Sequence, residues 1–406
     1  MIADGGPLLN TAGALLLVFL LALVVRYVLL LWLGYLHHLE GRGHLDPHAG
    51  PYPRVTIIVP VHNEQAVIVP ALQSLLALDY EGFDVLVVDD GSTDGTAERA
   101  RRFEGTWGAT TVRVLSKPNG GKASALNAGI ALARTPLVVC MDGDSRLDPA
   151  TLRYAAAHFA DPRVGAVAGN VKVVNRHTVW TRLQALEYIQ GLNLARRAQG
   201  FMRVVNIIPG PIGMFRLDAL VAVGGYDTDT FAEDADLTLK LLVAGWRVAY
   251  EDRAIAWTEA PESLLDLISQ RYRWTRGILQ AIGKRKAALV RPEDGFVVWV
   301  SLVAMVFEAL VWPVANVLGN LLFAVVAIGL GAPAVFAWWI LITMLDVAAS
   351  LYAVAVEEED LRLVPYAVLY RLLFITLIDL AKLFAAVEEA ARVRMTWGTL
   401  VREGRI

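Results

Sequence analysis

Long apolar runs stand near both ends of this 406-residue chain, in residues 12–36 and 296–388, and the stretch between them, 50–290, reads as a water-soluble α/β protein. That partition limits the fold more than any motif does. With 56% hydrophobic and 19% charged residues, the chain is too apolar for an ordinary soluble domain and too charged for one wholly in lipid. The first run, Leu15 to Leu36, is longer than a signal-peptide core and no small-residue cleavage site follows it. At about 20 residues or more it is long enough to cross a bilayer, so residues 1–40 are expected to form a membrane anchor. Arg26 falls inside the run, which is costly unless its guanidinium snorkels or pairs within a helix bundle.

A net charge of −3 gives no reason to expect a nucleic-acid partner. The one cysteine, Cys140, excludes an intramolecular disulfide and a cysteine-based zinc site. In its apolar run it reads as a small buried residue.

The middle of the chain alternates strand and helix signals. Strands are expected at Arg54–Pro60, Asp84–Asp89, Thr111–Leu115 and Pro136–Asp142, and helices at Pro70–Leu78, Thr96–Phe103 and Lys122–Ala133. Such alternation predicts a mostly parallel sheet with helices on both faces. Ligands of these sheets bind beyond the carboxyl ends of the strands. His62-Asn63-Glu64, Asp89-Asp90 and Asp142-Gly143-Asp144 each follow a strand and are expected to face one crevice. Neither a Gly-x-Gly-x-x-Gly after the first strand nor a Gly-x-x-x-x-Gly-Lys-Ser/Thr loop is present, which argues against dinucleotide binding and kinase-like phosphate loops.

Four motifs in fixed order carry the chemistry. Two carboxylates two residues apart, Asp142 and Asp144, suit a hard cation such as Mg²⁺ or Mn²⁺ held against a diphosphate; the alternative is a solvated turn capping the next helix. Asp89 and Asp90 end a strand, and acceptors there suit the N–H of a pyrimidine and ribose hydroxyls. Ser92, Thr93 or Asp94 fits a helix cap. Lys122 opens a helix after Gly120-Gly121, a setting that favours an anion, with a solvated turn as the plainer reading. In Phe231-Ala232-Glu233-Asp234-Ala235-Asp236, helix-dipole preference accounts for Asp236. Asp234 is the candidate general base, taking the proton from an acceptor hydroxyl as its oxygen attacks an anomeric carbon. In Gln270-Arg271-Tyr272-Arg273-Trp274, Arg273 suits a leaving diphosphate and Trp274 a sugar ring; the alternative is an interfacial helix with Arg and Trp at headgroup level.

Taken together these residues resemble the membrane-embedded, processive, inverting synthases of glycosyltransferase family 2, which make cellulose, chitin, hyaluronan and poly-N-acetylglucosamine. The resemblance covers 50–290 by motif and the apolar ends by layout. The spacing and the Gly165–Asn170 run are most similar to poly-β-1,6-N-acetylglucosamine synthases. It implies a cytosolic GT-A fold, a UDP-sugar donor with UDP-N-acetylglucosamine first in line, Mg²⁺ or Mn²⁺, and a polysaccharide acceptor threaded through the protein's own helices. Carried over by motif, His62, Glu64, Asp89, Asp90, Lys122, Asp142 and Arg273 bind the nucleotide sugar, and Asp142 and Asp144 the metal. Asp234 is the base, and Gly210, Glu233, Gln270 and Trp274 meet the acceptor. A small membrane subunit or other synthase-complex proteins are implied partners beside the bilayer, and a bacterial inner membrane is the implied location. His62 stands where the family has Tyr or Phe, and Ala232 where it has Thr. One anchor, where many relatives have two, precedes the catalytic domain. No cyclic-dinucleotide domain is expected after the membrane region.

The C-terminal part, 291–390, is expected to hold interfacial and transmembrane helices. Residues 296–312, with Glu308 and Trp312-Pro313, read either as interfacial or as the start of a kinked span. Spans are expected near 314–331 and 334–356. Residues 364–388, with Arg371, Asp379 and Lys382, line a channel or lie in the interface. A basic tail, 391–406, favours the cytosolic side. Two other functions stay open: transfer of one sugar to a lipid carrier, and non-catalytic binding of nucleotide sugars.

Overall fold

The structure, a computed structural model, describes residues 7–44, 52–291, 295–330 and 332–393. The expected basic tail lies outside them from residue 394 onward. Helix α1 (Pro7–His44) comes first. The central domain follows with β1 (Val55–Val61), α2 (Ile68–Leu76), β2 (Phe83–Asp89), α3 (Thr96–Arg101), β3 (Gly105–Trp107), β4 (Thr110–Ser116), α4 (Lys122–Leu132) and β5 (Leu137–Cys140). Next come β6 (Ser145–Leu147), α5 (Thr151–Ala157), β7 (Val164–Val173), α6 (Val179–Glu187) and α7 (Leu194–Met202), the last two joined by a π-turn over Tyr188–Asn193. It closes with β8 (Gly213–Arg216), α8 (Leu217–Ala222), α9 (Glu233–Val243), β9 (Arg247–Thr258) and α10 (Leu264–Lys284).

All seven residues of β1 and all four of β5 are buried, as strands covered by helices on both faces must be. The nine strands run in the order β3-β4-β2-β1-β5-β8-β7-β9-β6. From β4 to β5 the neighbours are parallel. Beyond β5 the sheet is mixed: β8 is antiparallel to both β5 and β7, and β6 to β9, while β7 and β9 are parallel. With β3 also antiparallel to β4, the sheet is half antiparallel by pairing rather than mostly parallel. The antiparallel edge at β6 follows from the connection after β5. Only Met141–Asp144 separate it from β6, and a parallel neighbour needs a crossover of a dozen residues or more. The short link sends β6 to the far edge and leaves the Asp-Gly-Asp turn at the sheet's carboxyl end, beside the ends of β1 and β2.

The remaining helices are α11 (Phe296–Val306), α12 (Trp312–Leu330), α13 (Ala332–Val356), α14 (Tyr366–Leu369) and α15 (Ile375–Ala390). Among the described residues, four stretches are long and apolar enough to cross a membrane: Leu9–Glu40, Phe296–Gly329, Trp339–Val356 and Leu361–Ala390. The second runs through Pro313, as expected if 296–312 begins a kinked span. A π-turn over Phe307–Val311 carries α11 into α12, and such a wide turn absorbs the hydrogen bond that a proline removes. Val298, Leu302 and Met305 of α11 pack into the same apolar cluster as Leu237 and Leu241 of α9. Thus α11 stays on the central domain and α12 leaves it.

Polar groups within these stretches find each other. Arg26 donates to Glu308 at 2.8 Å and lies over the Trp312 ring, 4.6 Å from its centre. Arg371 and Tyr27 both bond Asp346, and Asn316 donates to Asp379 at 2.8 Å. Pairing of this kind offsets the penalty of a charge in an apolar setting and pins helices to one another. Residues 361–390 are tied to the central domain at both ends: Arg182 of α6 bonds Tyr366, while Tyr272 and Arg276 of α10 bond Glu388 and Glu389.

Candidate active site

An open cavity of about 800 Å³ lies at the carboxyl ends of β1, β2 and β5, and its far wall is α10. Lining it are His62, Glu64, Asp90, Lys122, Asp142, Asp144, Gly210, Glu233, Asp234, Gln270, Arg273 and Trp274. Eleven of them come from the strand-end, α4, Glu-Asp and α10 motifs, and Gly210 comes from the Pro-Gly-Pro loop. Asp89 is the candidate that does not line it. Its carboxylate turns back to accept the Ser92 N–H at 3.1 Å, so it shapes the turn.

Asp90 is 3% exposed and holds the loop before α4. It accepts from Lys117 Nζ at 2.5 Å and from the Gly120 and Gly121 N–H groups at 3.1 and 2.7 Å. Gly121 has φ +85°, a conformation that favours glycine. His62 sits beside this loop, its Nδ1 3.0 Å from the Asp90 carbonyl oxygen.

Lys122, the first residue of α4, bridges two motifs, with Nζ 2.6 Å from Asp142 Oδ1 and 2.8 Å from Glu233 Oε1. Burial opposes its charge, but Asp142, Glu233 and Asp234 outweigh burial and raise its pKa well above the usual lysine value. Gly210 is needed here: a Cβ on it would come 2.8 Å from an Asp142 oxygen and 2.9 Å from Lys122 Nζ. The contact between Asp142 Oδ1 and Lys122 meets the distance of an ion pair, yet that buried oxygen accepts no hydrogen bond of good geometry. Asp144 is 4% exposed on the same turn. A Cβ on Gly143, between them, would strike Glu64. Two oxygen donors on one tight turn fit a hard divalent cation, which keeps its other positions for phosphate oxygens and water.

A second acidic group, Asp227, Asp229 and Asp236, lies apart from the cavity. Lys284 Nζ already stands 2.6, 2.7 and 2.9 Å from these three. The group is a node of ion pairs fastening α9 to α10, and Asp236, 0% exposed, also bonds Arg285.

Asp234 stands at the first turn of α9, with Oδ1 accepting the Ala235 N–H at 2.7 Å. Burial, then the neighbouring Glu233, push its carboxyl up to about 6, against the pull of Lys122. A carboxylate with a pKa near working pH is suited to proton abstraction. Cys140 is buried, and burial pushes its thiol up to about 12, so it is an inert packing group. Tyr188, Leu192 and Arg196 also line the cavity. They lie on the π-turn and α7, where no motif marks them; the signal lost in the sequence is the wide turn, which breaks the 3.6-residue period.

A mixed sheet with a carboxylate-rich crevice at its strand ends and a basic aromatic helix across it defines a glycosyltransferase of GT-A-like fold. The chain belongs to the family described as glycosyltransferase like family 2, whose profile matches residues 53–277. A poly-beta-1,6-N-acetyl-D-glucosamine synthase of Staphylococcus aureus (strain COL) is 35% identical over 224 residues, 55% of this chain and 54% of that protein. The synthase of the same description from Staphylococcus epidermidis is 33% identical over 224 residues, with the same coverage. The match spans about half the length of these relatives. The mannosyltransferase PcManGT from Pyrobaculum calidifontis, solved in complex with GDP-Man and Mn²⁺, aligns with a TM-score of 0.67 at 23% identity, covering 94% of this chain and 100% of that one. At that identity the likeness is one of fold.

Proposed function

We propose that this protein is an inverting membrane glycosyltransferase that moves a sugar from UDP-N-acetylglucosamine to the end of a growing β-linked polysaccharide and passes the product towards the bilayer. The observation that carries the reading is the shared cavity: Asp90, Asp144, Asp234 and Trp274, spread over 185 positions of sequence, open into one space. The likeness to poly-beta-1,6-N-acetyl-D-glucosamine synthases supports the choice of donor and product.

In this reading His62, Glu64, Asp90 and Lys122 bind the nucleotide sugar, with Asp89 acting through the turn it shapes. Asp142 and Asp144 hold Mg²⁺ or Mn²⁺, which supplies positive charge to the leaving diphosphate. Lys122 and Arg273 bring further positive charge to the diphosphate side. Gly210, Glu233, Gln270 and Trp274 shape the acceptor side, and Asp234 takes the acceptor hydroxyl's proton. The reading keeps an anchor at 1–40, a catalytic domain at 50–290 in the cytosol of a bacterial cell, and interfacial and transmembrane helices at 291–390 in its inner membrane.

Purified protein supplied with UDP-N-acetylglucosamine, metal and lipid tests this directly. Long β-linked chains are expected, and a product carrying one sugar on a lipid would replace the reading with single transfer. Asp144→Ala is expected to abolish metal-dependent turnover while the unfolding transition stays within a few degrees of wild type; metal-dependent release of UDP by that variant removes the ligand assignment.

A further inference from the structure

One wall of the cavity is set by an ion pair that the four motifs do not account for. Arg271 follows Gln270 on α10 and is 2% exposed. Its guanidinium donates to Glu187, at the end of α6, through Nε at 3.1 Å and Nη2 at 2.5 Å. This forked contact fixes the plane of the group. The third arm, Nη1, donates to Gln270 Oε1 at 2.5 Å. The same guanidinium lies over Trp274, its Cζ 4.2 Å from the ring centre.

A carboxamide offers one carbonyl and one NH₂ group. With the carbonyl of Gln270 held by Arg271, the NH₂ end is what remains for the cavity. Gln270 is 7% exposed and lines that cavity, and its Nε2 donates to no group among the described residues. Trp274 is constrained in the same way. A guanidinium covers one face of its ring, so a sugar has the other.

The geometry points to Glu187 and Arg271 as positioning residues for the acceptor. The pair turns Gln270 so that it donates to an oxygen of the acceptor sugar, and it reserves one face of Trp274 for that sugar's ring. The acceptor chemistry follows: a sugar oxygen, hydroxyl or amide carbonyl, that can accept from the Gln270 NH₂ group. Removing the Glu187 charge leaves Arg271 buried without its counter-ion and releases both of its neighbours. The inference rests on the reading of this cavity as a site of glycosyl transfer.

The test compares wild type and Glu187→Gln as full-length protein in lipid nanodiscs, following two rates with UDP-N-acetylglucosamine: chain elongation, and hydrolysis of the donor to free sugar. A hydrogen-bonded charged contact of this kind supports an expected loss of about tenfold or more in elongation, with hydrolysis within about twofold of wild type. Glu187→Asp keeps the charge but draws it back, and a smaller split in the same direction is expected. That milder variant carries the test if Glu187→Gln is not recovered folded. Equal loss of both rates, or loss of neither, overturns the positioning role. Wild-type protein that turns over no nucleotide sugar overturns the functional reading and this inference together, whereas normal wild-type elongation with no split in the variants overturns this inference alone.

Discussion

Asp234 has to be ionised to accept a proton, and its surroundings resist that. Its pKa is raised to about 6, first by burial and then by Glu233, so kcat/KM is expected to rise with pH through an acid limb near that value. Lys122 pulls the same pKa down. In Lys122→Gln, the residual activity is therefore expected to show its acid limb at higher pH; an unmoved limb in a pH–rate profile separates the two residues. The sign for stability runs the other way from the usual carboxylate. A folded pKa above the unfolded one stabilises the fold fully below about pH 4, and that contribution is lost as pH rises through about 6. Asp234→Asn, which keeps the uncharged shape, is expected to gain on the order of 1–3 kcal/mol at neutral pH while losing transfer, as read by unfolding in detergent beside UDP release. At this scale the sequence discloses residue types but not partners. Asp89 and Asp90 look equivalent as neighbours, yet successive side chains at a strand end point to opposite sides, and only Asp90 lines the cavity. Nothing in the sequence links Lys122 to Glu233, or Arg271 to Glu187.

Between elements, the distance from α10 to the start of α9 decides whether Trp274 and Asp234 share a substrate. Gly277 sets that distance. A Cβ on it would run into the Ala232 backbone nitrogen and the carbonyl carbon of Phe231, neither of which is a flexible side-chain end. Gly277→Ala is expected to push α10 outward at a cost of about 1–3 kcal/mol and to lower transfer by about tenfold to hundredfold through misplacement of the acceptor side. Wild-type kcat in that variant, with an unchanged unfolding midpoint, would mean that the helix spacing is not set there. Of the four expected strands, β1, β2 and β5 were legible because they are buried and written as continuous apolar runs, and β4 because Val112 and Val114 alternate with Thr111 and Arg113. The second half hid its strands. In β7, Gly165 and Gly169 interrupt the run, because Trp246 packs where a side chain at 165 would lie and Ile212 where one at 169 would. In β9 the burial pattern alternates irregularly across bulges in its pairing with β7. Residues 296–312 stayed open between an interfacial helix and the start of a kinked span because the π-turn that carries α11 into α12 is a local hydrogen-bond change that no residue pattern marks.

Across the whole molecule, the attachment points limit how often the chain can cross the bilayer. Gly34 and His37 of α1 pack on Leu194 and Gly200 of α7, so the end of α1 meets the central domain. After that domain, α11 remains on it and α12 departs. The end of α13 returns to it: Glu357 accepts from Asn170 at 2.7 Å and Arg197 at 2.6 Å, and Glu359 pairs with Lys172 and Arg176. Residues 361–390 then begin at α6 and finish at α10, leaving and rejoining the same side. We propose on these attachments three crossings, by α1, α12 and α13, with residues 361–390 lying along or dipping into the membrane face beside α10. Single-cysteine reporters test the count in intact cells, since the native Cys140 is buried. Ile328→Cys, at a site 88% exposed near the end of α12, is expected to react with a membrane-impermeant maleimide from outside. Leu361→Cys and Arg392→Cys are expected to react only after the membrane is opened. If Arg392→Cys labels from outside while Leu361→Cys does not, residues 361–390 cross the bilayer, and the ties from Tyr272 and Arg276 to Glu388 and Glu389 cannot hold in the membrane-bound protein.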